Sequence, residues 1–293
     1  MIVEQLINGI ALGFVYVLIA LGLTMVYGVL KVLHFAHGVI YMVGAFSAMV
    51  GILYLNLSFI PALIFALVIS GLVGVGIEKY AYRPLKDVHP ITVLISGVGI
   101  AILLQNLFQI IFTSDSHAFP KTNIKVHSID IFGIASLTNI KLYMIIIGLI
   151  VLAVLYLFLN FTKMGIAIQA VSQDRKAAAL MGINVNRIVM VTFLLGSMLA
   201  ALAGIITALN YNSLSPAMGD IPGLKAFCVV VLGGLGSIPG TVLGGLILGI
   251  AEALSTGYLE GMPIDTNAIA FILLVAILLI KPSGLFGKNI EKV

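Results

Sequence analysis

Seven stretches of this chain are apolar over lengths that read as membrane spans, at about residues 6–30, 37–55, 60–80, 91–112, 142–161, 190–210 and 267–280. A helix needs roughly 20 apolar residues to cross a bilayer core. Lipid offers no partner for backbone N–H and C=O groups, so each run must satisfy them internally. The expected fold class is therefore all-α and polytopic. Only 9% of the residues are charged and mean hydropathy is +1.21, against about a quarter charged in soluble domains. There is no low-complexity linker, so residues 1–293 are expected to form a single membrane domain. The N-terminal MIVEQLINGI lacks the basic n-region of a secretory signal and reads as the start of a retained first span.

One further apolar stretch, Phe227–Leu254, does not fit a single span. As one helix it would be about 40 Å long against a core of about 30 Å. It is broken by Gly233-Gly234-Leu235-Gly236-Ser237-Ile238-Pro239-Gly240, where Pro and clustered Gly interrupt a helix. Two short passages, or a re-entrant hairpin, are expected. The total is about eight to nine transmembrane or half-membrane segments, with broken helices among them.

Loop charge sets the orientation. With Lys31, the 79–89 loop, the 161–190 loop and the C-terminal tail in the cytosol, 11 of the 15 basic residues lie inside. Lys121, Lys125, Lys141 and Lys225 then remain outside, as does the N-terminus. Two passages through 227–254 also keep the acidic Glu260 and Asp265 outside and the basic tail inside. In the longest external loop, Thr113–Ile140, the alternating stretch Ile124–Ile131 reads as a short strand.

The longest polar stretch between two spans is Phe161–Met190, with Lys163, Arg175, Lys176 and Arg187 against a single Asp174. Ala167–Met181 is rich in helix formers and contains no Pro or Gly, and Gly182 follows as a stop. A short basic helix between spans can lie on the membrane surface or dock on a partner.

Catalytic and nucleotide-binding signatures are missing: there is no His-Glu-x-x-His, Gly-x-Ser-x-Gly or phosphate-binding Gly-x-x-x-x-Gly-Lys-Ser/Thr. No cofactor, metal or enzymatic activity is expected, and ATP-driven transport would need the ATPase on another chain. Basic residues without interleaved aromatic platforms exclude nucleic acid as a partner.

Features at membrane depth mark candidate pathway residues. His37-Gly38 places polar groups where an apolar helix should begin, as a broken helix beside a path or as a capped entry turn. Gly233, Gly236, Ser237 and Gly240 form a comparable break in the second half, and the two together hint at an internal repeat. Gly240 with Gly244, Gly245 with Gly249, and Gly9 with Gly13 carry the four-residue small spacing that lets helices approach closely. Glu252 is an ionisable residue inside an apolar run, whereas Glu78 reads as interfacial. Gln105 and Gln109 fall on one helix face and either line a polar path or bond between helices.

Several of these motifs match a known pattern. Ala20–Gly28 (ALGLTMVYG), Phe35-Ala36-His37-Gly38, Ala81-Tyr82-Arg83-Pro84-Leu85, Gly182-Ile183-Asn184, the Gly233–Gly240 break, Ala251–Leu254 and Pro282-Ser283-Gly284 resemble the LivH-type permeases of branched-chain amino-acid ABC importers. The resemblance implies a bacterial inner-membrane subunit with a second, related permease, two cytosolic ATPases and an extracytoplasmic substrate-binding protein. It implies leucine, isoleucine and valine as cargo; some similar permeases serve other amino acids or urea. ABC permeases meet their ATPases through a Glu-Ala-Ala-x-x-x-Gly loop. Ala177, Ala178 and Gly182 match that spacing, with Arg175 just before it and Lys176 where the Glu would stand. Ala178→Glu is then expected to block docking while sparing insertion. The alternatives are a self-contained channel or facilitator for a small neutral solute, which would need no docking helix, and a membrane-embedded enzyme.

Overall fold

The computed structural model describes residues 2–85, 88–120, 127–131, 135–258 and 266–287. Helix α1 (Ile2–Leu30) is followed by α2 (His37–Leu53), α3 (Phe59–Ile77) and α4 (Pro90–Phe112). A hairpin of β1 (Ser128–Ile131) and β2 (Ala135–Thr138) precedes α5 (Asn139–Phe161). Two short helices, α6 (Lys163–Gln173) and α7 (Arg175–Leu180), lead to α8 (Val185–Tyr211). Then come α9 (Asp220–Gly233), α10 (Ile238–Tyr258) and α11 (Thr266–Ile280). Apart from the hairpin, the described fold is all-α, and six helices are long and apolar enough to cross a membrane.

The long helices sort by burial. The apolar window of α1 is 89% buried and that of α8 is 72% buried, against 11% for α4 and 22% for α5. So α1 and α8 form the centre, while α4 and α5 present Ile, Leu and Val outward, the side suited to lipid. Packing of α1 on α10 uses the glycine spacings. Gly9 faces the Ile250 backbone, Gly13 faces Leu246, and Gly249 lies against Gly13. The two helices run antiparallel with their backbones almost touching, as small residues allow.

The loops gather at two ends. At one, Arg175 of α7 bonds the last turn of α1 at Val29, and the 284–287 segment clasps the α9–α10 turn through Leu285 N to Leu232 O and Phe286 N to Gly233 O. Gly234 and Gly236 make that turn with φ of +106° and +82°, which side chains with a Cβ rarely adopt. Ser237 then caps α10, accepting from Gly240 N at 3.3 Å. At the other end, Lys141 bonds Asn8, and His117 pairs with Leu214. Arg175 and the 284–287 segment thus share one end and Lys141 lies at the other, as expected from loop charge, whereas Lys225 does not sit in a loop. The basic residues Lys86, Lys121, Lys125, Lys288 and Lys292, and the acidic Glu260 and Asp265, lie outside the described residues.

Several expectations change. Only one of the two passages through 227–254 is short: α10 has 21 residues and spans fully, whereas α9 has 14. The expected loop helix 167–181 is two helices, because Asp174 breaks it and caps the second. The expected strand 124–131 is present over Ser128–Ile131, and residues 124–126 lie outside the described residues. Glu78 is buried, held by Arg83 through contacts of 3.0 and 2.8 Å.

The hint of a repeat has a structural counterpart. A long helix, a bend, a short helix and two further helices occur as α1–α4 and again as α8–α11. Cross-packing is reciprocal: α1 packs on α9 and α10, and α8 packs on α2 and α3. Since α1 runs toward the end that carries Arg175 and α8 away from it, the two units have opposite orientation, a common architecture in transporters.

Candidate functional site

The helix α1 is a ruler for depth, with Tyr16 as its middle residue. The imidazole Nε2 of His37, the first residue of α2, lies 2.9 Å from the Ile19 carbonyl oxygen. Chain 31–36 therefore leaves the Leu30 end of α1 and climbs back before α2 begins. Gly38 packs against Gly219 and Gly223, and Lys225 reaches Tyr16. Chain 212–219 thus dips from the opposite end, and α9 also begins at mid-depth. Both short helices start side by side near the middle of the fold. Neither Ala36 nor Gly219 provides a side-chain cap; the first N–H groups are met by the backbone instead, His37 N donating to His34 O and Asp220 N to Ala217 O, both at 3.1 Å.

Helix α2 therefore starts at His37-Gly38, beside Ile19 of α1 and not at the end of the fold, without a side-chain cap. The second mid-depth break is at 212–219, not at Gly233–Gly240, which lies beside the last turns of α1 near Tyr27 and Gly28. Its signals were present in the sequence: Asn212, Ser213, Ser215, Pro216 and Gly219 interrupt two apolar runs, and Asn212 adopts φ +48°.

Around these two helix starts lies a cavity of about 250 Å³, with Leu23, His34, His37, Gly38, Asp220 and Leu224 in its wall. His34 and His37 are each 2% exposed. His34 Nδ1 is 2.8 Å from the Tyr82 hydroxyl, and its ring packs against those of Tyr82 and Phe193. Its Nε2, like Nδ1 of His37, has no hydrogen-bond partner among the described residues. Asp220 is exposed and accepts a 2.9 Å bond from Gln105 Nε2. Gln109 stands one turn further along α4, half-buried.

A second polar cluster joins three helices. Glu252 of α10 accepts from the Tyr16 hydroxyl at 2.5 Å and lies 2.7 Å from Lys225 Nζ, which also donates to Tyr16 at 3.2 Å. Glu252 is 4% exposed and Lys225 8%. Lys225, expected in an outer loop, is therefore buried inside α9. Each charge needs the other, because an unpaired charge at this depth is costly.

The 161–190 segment has a defined shape. Asp174 accepts from Lys176 N at 2.7 Å and Ala177 N at 3.0 Å, which starts α7. Gly182, at φ +82°, ends it. Arg175 Nε donates to the Val29 carbonyl at 2.7 Å. Burial holds the Arg175 guanidinium below its ordinary pKa, and burial, together with the nearby Arg175 charge, lowers that of Lys31. The expected pair of docking alanines is split: Ala177 is exposed, but Ala178 is buried against the body of the chain. The most exposed large apolar side chains of this segment are Leu180 and Met181, at 89% and 82%.

A polytopic bundle of inverted repeats, with half-helices meeting at mid-depth, is the architecture of a membrane transport protein. Residues 5–280 match the family model of the branched-chain amino acid transport system permease component. The high-affinity branched-chain amino acid permease LivH of Escherichia coli is 38% identical over 99% of this chain and 97% of its own length. BraD of Pseudomonas aeruginosa is 36% identical over the same shares. The ribose import permease RbsC of Escherichia coli is 39% identical over 40% of this chain. No solved structure matches the chain. The chain belongs to the family of branched-chain amino acid transport system permease components, and is a multi-pass protein of the bacterial inner (cell) membrane.

Proposed function

We propose that this chain is the membrane-spanning permease subunit of an ABC importer for leucine, isoleucine and valine. The observation that carries this reading is its kinship, over 99% of its length, with high-affinity branched-chain amino acid permeases. Two cytosolic ATPases power the transport, a second related permease completes the pathway, and an extracytoplasmic binding protein delivers the cargo. The chain itself hydrolyses nothing and binds no cofactor.

Residues 161–190 are the coupling segment. In α7, Arg175 and Ala178 seat the helix on the body, while Lys176, Ala177, Leu180 and Met181 face away from it. Two large apolar side chains exposed at the tip of an anchored helix are costly in water and suit a cleft on a partner. Motion of α7 passes to α1 through the Arg175–Val29 bond and to α8 through the short 181–184 link. The ends of the half-helices then move relative to each other, and the path opens alternately to each side. A self-contained facilitator leaves this exposed tip without a role.

Purification of the tagged chain from its native membrane in mild detergent tests the reading. Recovery of an ATPase pair and a second permease, with ATP-dependent leucine uptake after reconstitution, is the expected result. Recovery of the chain alone, passing solute without ATP, would establish the facilitator instead.

A further inference from the structure

Asp220, the first residue of α9, is exposed. It follows Gly219, which packs on Gly38, and Gln105 from the middle of α4 donates to it at 2.9 Å. Among the described residues it is the one exposed charge at this depth; the others lie near helix ends or in the links between helices. A carboxylate facing hydrocarbon is strongly disfavoured, and intramembrane charges turn toward protein or water-filled space. Lipid therefore does not cover this part of α9.

The side chains around it decide between water and protein. Ile221 and Leu224 share the face of α9 with Asp220 by helical spacing, and they are 48% and 46% exposed. On α4 the edge with Gln105 and Gln109 borders this face, while the Ile and Leu side chains further round meet lipid. A water-filled path alone would leave Ile221 and Leu224 wet. A helix of another chain covers them and can bring a donor to Asp220, the kind of bond that holds helices together in lipid. Helix α1 fixes where the face lies. Gly148 of α5 packs against the Phe14 ring, and Lys225 of α9 reaches the Tyr16 hydroxyl. Residues two apart on a helix point about 200° apart at 3.6 residues per turn, so α5 and α9 occupy opposite sides of α1. The α5 side exposes apolar residues such as Leu149 and Ile150 and, among the described residues, no charge at mid-depth.

We propose that the second permease docks on the α9 face with Asp220, Ile221 and Leu224, together with the Gln105–Gln109 edge of α4, and that it presents a hydrogen-bond donor to Asp220 at mid-depth. This surface deepens the import reading and rests on it. The ATPases and the binding protein lie outside the bilayer, so of the partners in that reading only the second permease reaches this depth. Docking there sets the starts of both half-helices, α2 and α9, beside the seam between the two permeases, with α5 turned away toward lipid.

The test places the photocrosslinker p-benzoylphenylalanine at position 224 of α9 or at position 150 of α5, in the complete importer in its native membrane, with the second permease tagged. Irradiation should join position 224 to the second permease and position 150 to no protein. A second measurement follows dissociation of the two permeases on dilution in detergent. Asp220→Leu should weaken their binding about tenfold or more, the scale of one charge-assisted bond, with the chain's own membrane level unchanged and Asp220→Glu restoring part of the loss. An adduct at position 150, or none at position 224, while the permeases still co-purify, overturns the surface and leaves the import reading intact. Binding by Asp220→Leu within twofold of the parent overturns the donor opposite Asp220. A parent chain that purifies without a second permease overturns the import reading and this surface with it.

Discussion

Lys225 Nζ lies 2.7 Å from Glu252 Oε1, which ties the half-helix α9 to the full span α10, with Tyr16 of α1 closing the cluster. Removing one partner from a buried ion pair typically costs about 3–5 kcal/mol, because the other charge is left unpaired. Glu252→Ala and Lys225→Met should each lower the melting temperature and yield of the purified chain. The double variant Lys225→Met/Glu252→Leu should recover much of the loss. Equal damage from the double and the single variants would show that the pair does more than neutralise charge.

The contact between α1 and α10 leaves no room for a methyl group. A Cβ on Gly249 would fall on the Gly13 backbone, whereas one on Gly76 in α3 meets nothing within 4 Å. Gly249→Ala should destabilise the chain and reduce its membrane accumulation. Gly76→Ala should be neutral or stabilising by up to about 1 kcal/mol, from helix propensity. Thermal unfolding of both variants in one detergent checks the contrast.

Docking through α7 should depend on its outward side chains. Leu180→Glu and Met181→Glu should abolish co-purification of ATPases and uptake while leaving thermal stability within about 0.5 kcal/mol, as for surface substitutions. Ala178→Glu, which buries a carboxylate, should instead loosen α7 from the chain. Retained ATPase binding in Leu180→Glu/Met181→Glu would remove α7 from the coupling interface.

The start of α7 depends on Asp174. Asp174→Ala removes the acceptor for two N–H groups, a loss of about 0.5–2 kcal/mol. Hydrogen exchange should quicken across Arg175–Leu180 and remain unchanged in α1 and α8. An unaltered pattern would show that α7 is held by its packing alone.

The spans were legible because a 20-residue apolar run in lipid leaves the chain few other forms. The glycine spacings were equally clear, and they fall where two backbones meet. Asp220 and Lys225 were not. Between the apolar runs that end at 210 and begin at 227, the polar residues have the composition of an ordinary loop. Whether such a loop skims the surface or dips to mid-depth is decided by what it packs against, here Gly38, Tyr16 and Glu252 from distant parts of the chain. The helical loop was readable as helix, but its division was not, since an Asp interrupts a helix only when its side chain caps the next one. The inward turn of Ala178 likewise follows from how Arg175 anchors α7, which residue spacing does not encode.

The reciprocal packing of the two inverted units has a consequence in time. Helix α2 lies against α8, which is completed roughly 160 residues later in the chain. At about 5–20 residues per second, the ribosome takes some 8–30 s to supply that partner. Through that interval a 17-residue segment with His37 at its leading end must wait in the insertion machinery or shelter against α1. Biogenesis of this chain should therefore be sensitive to the speed of translation between α2 and α8, more than to the hydrophobicity of any one span.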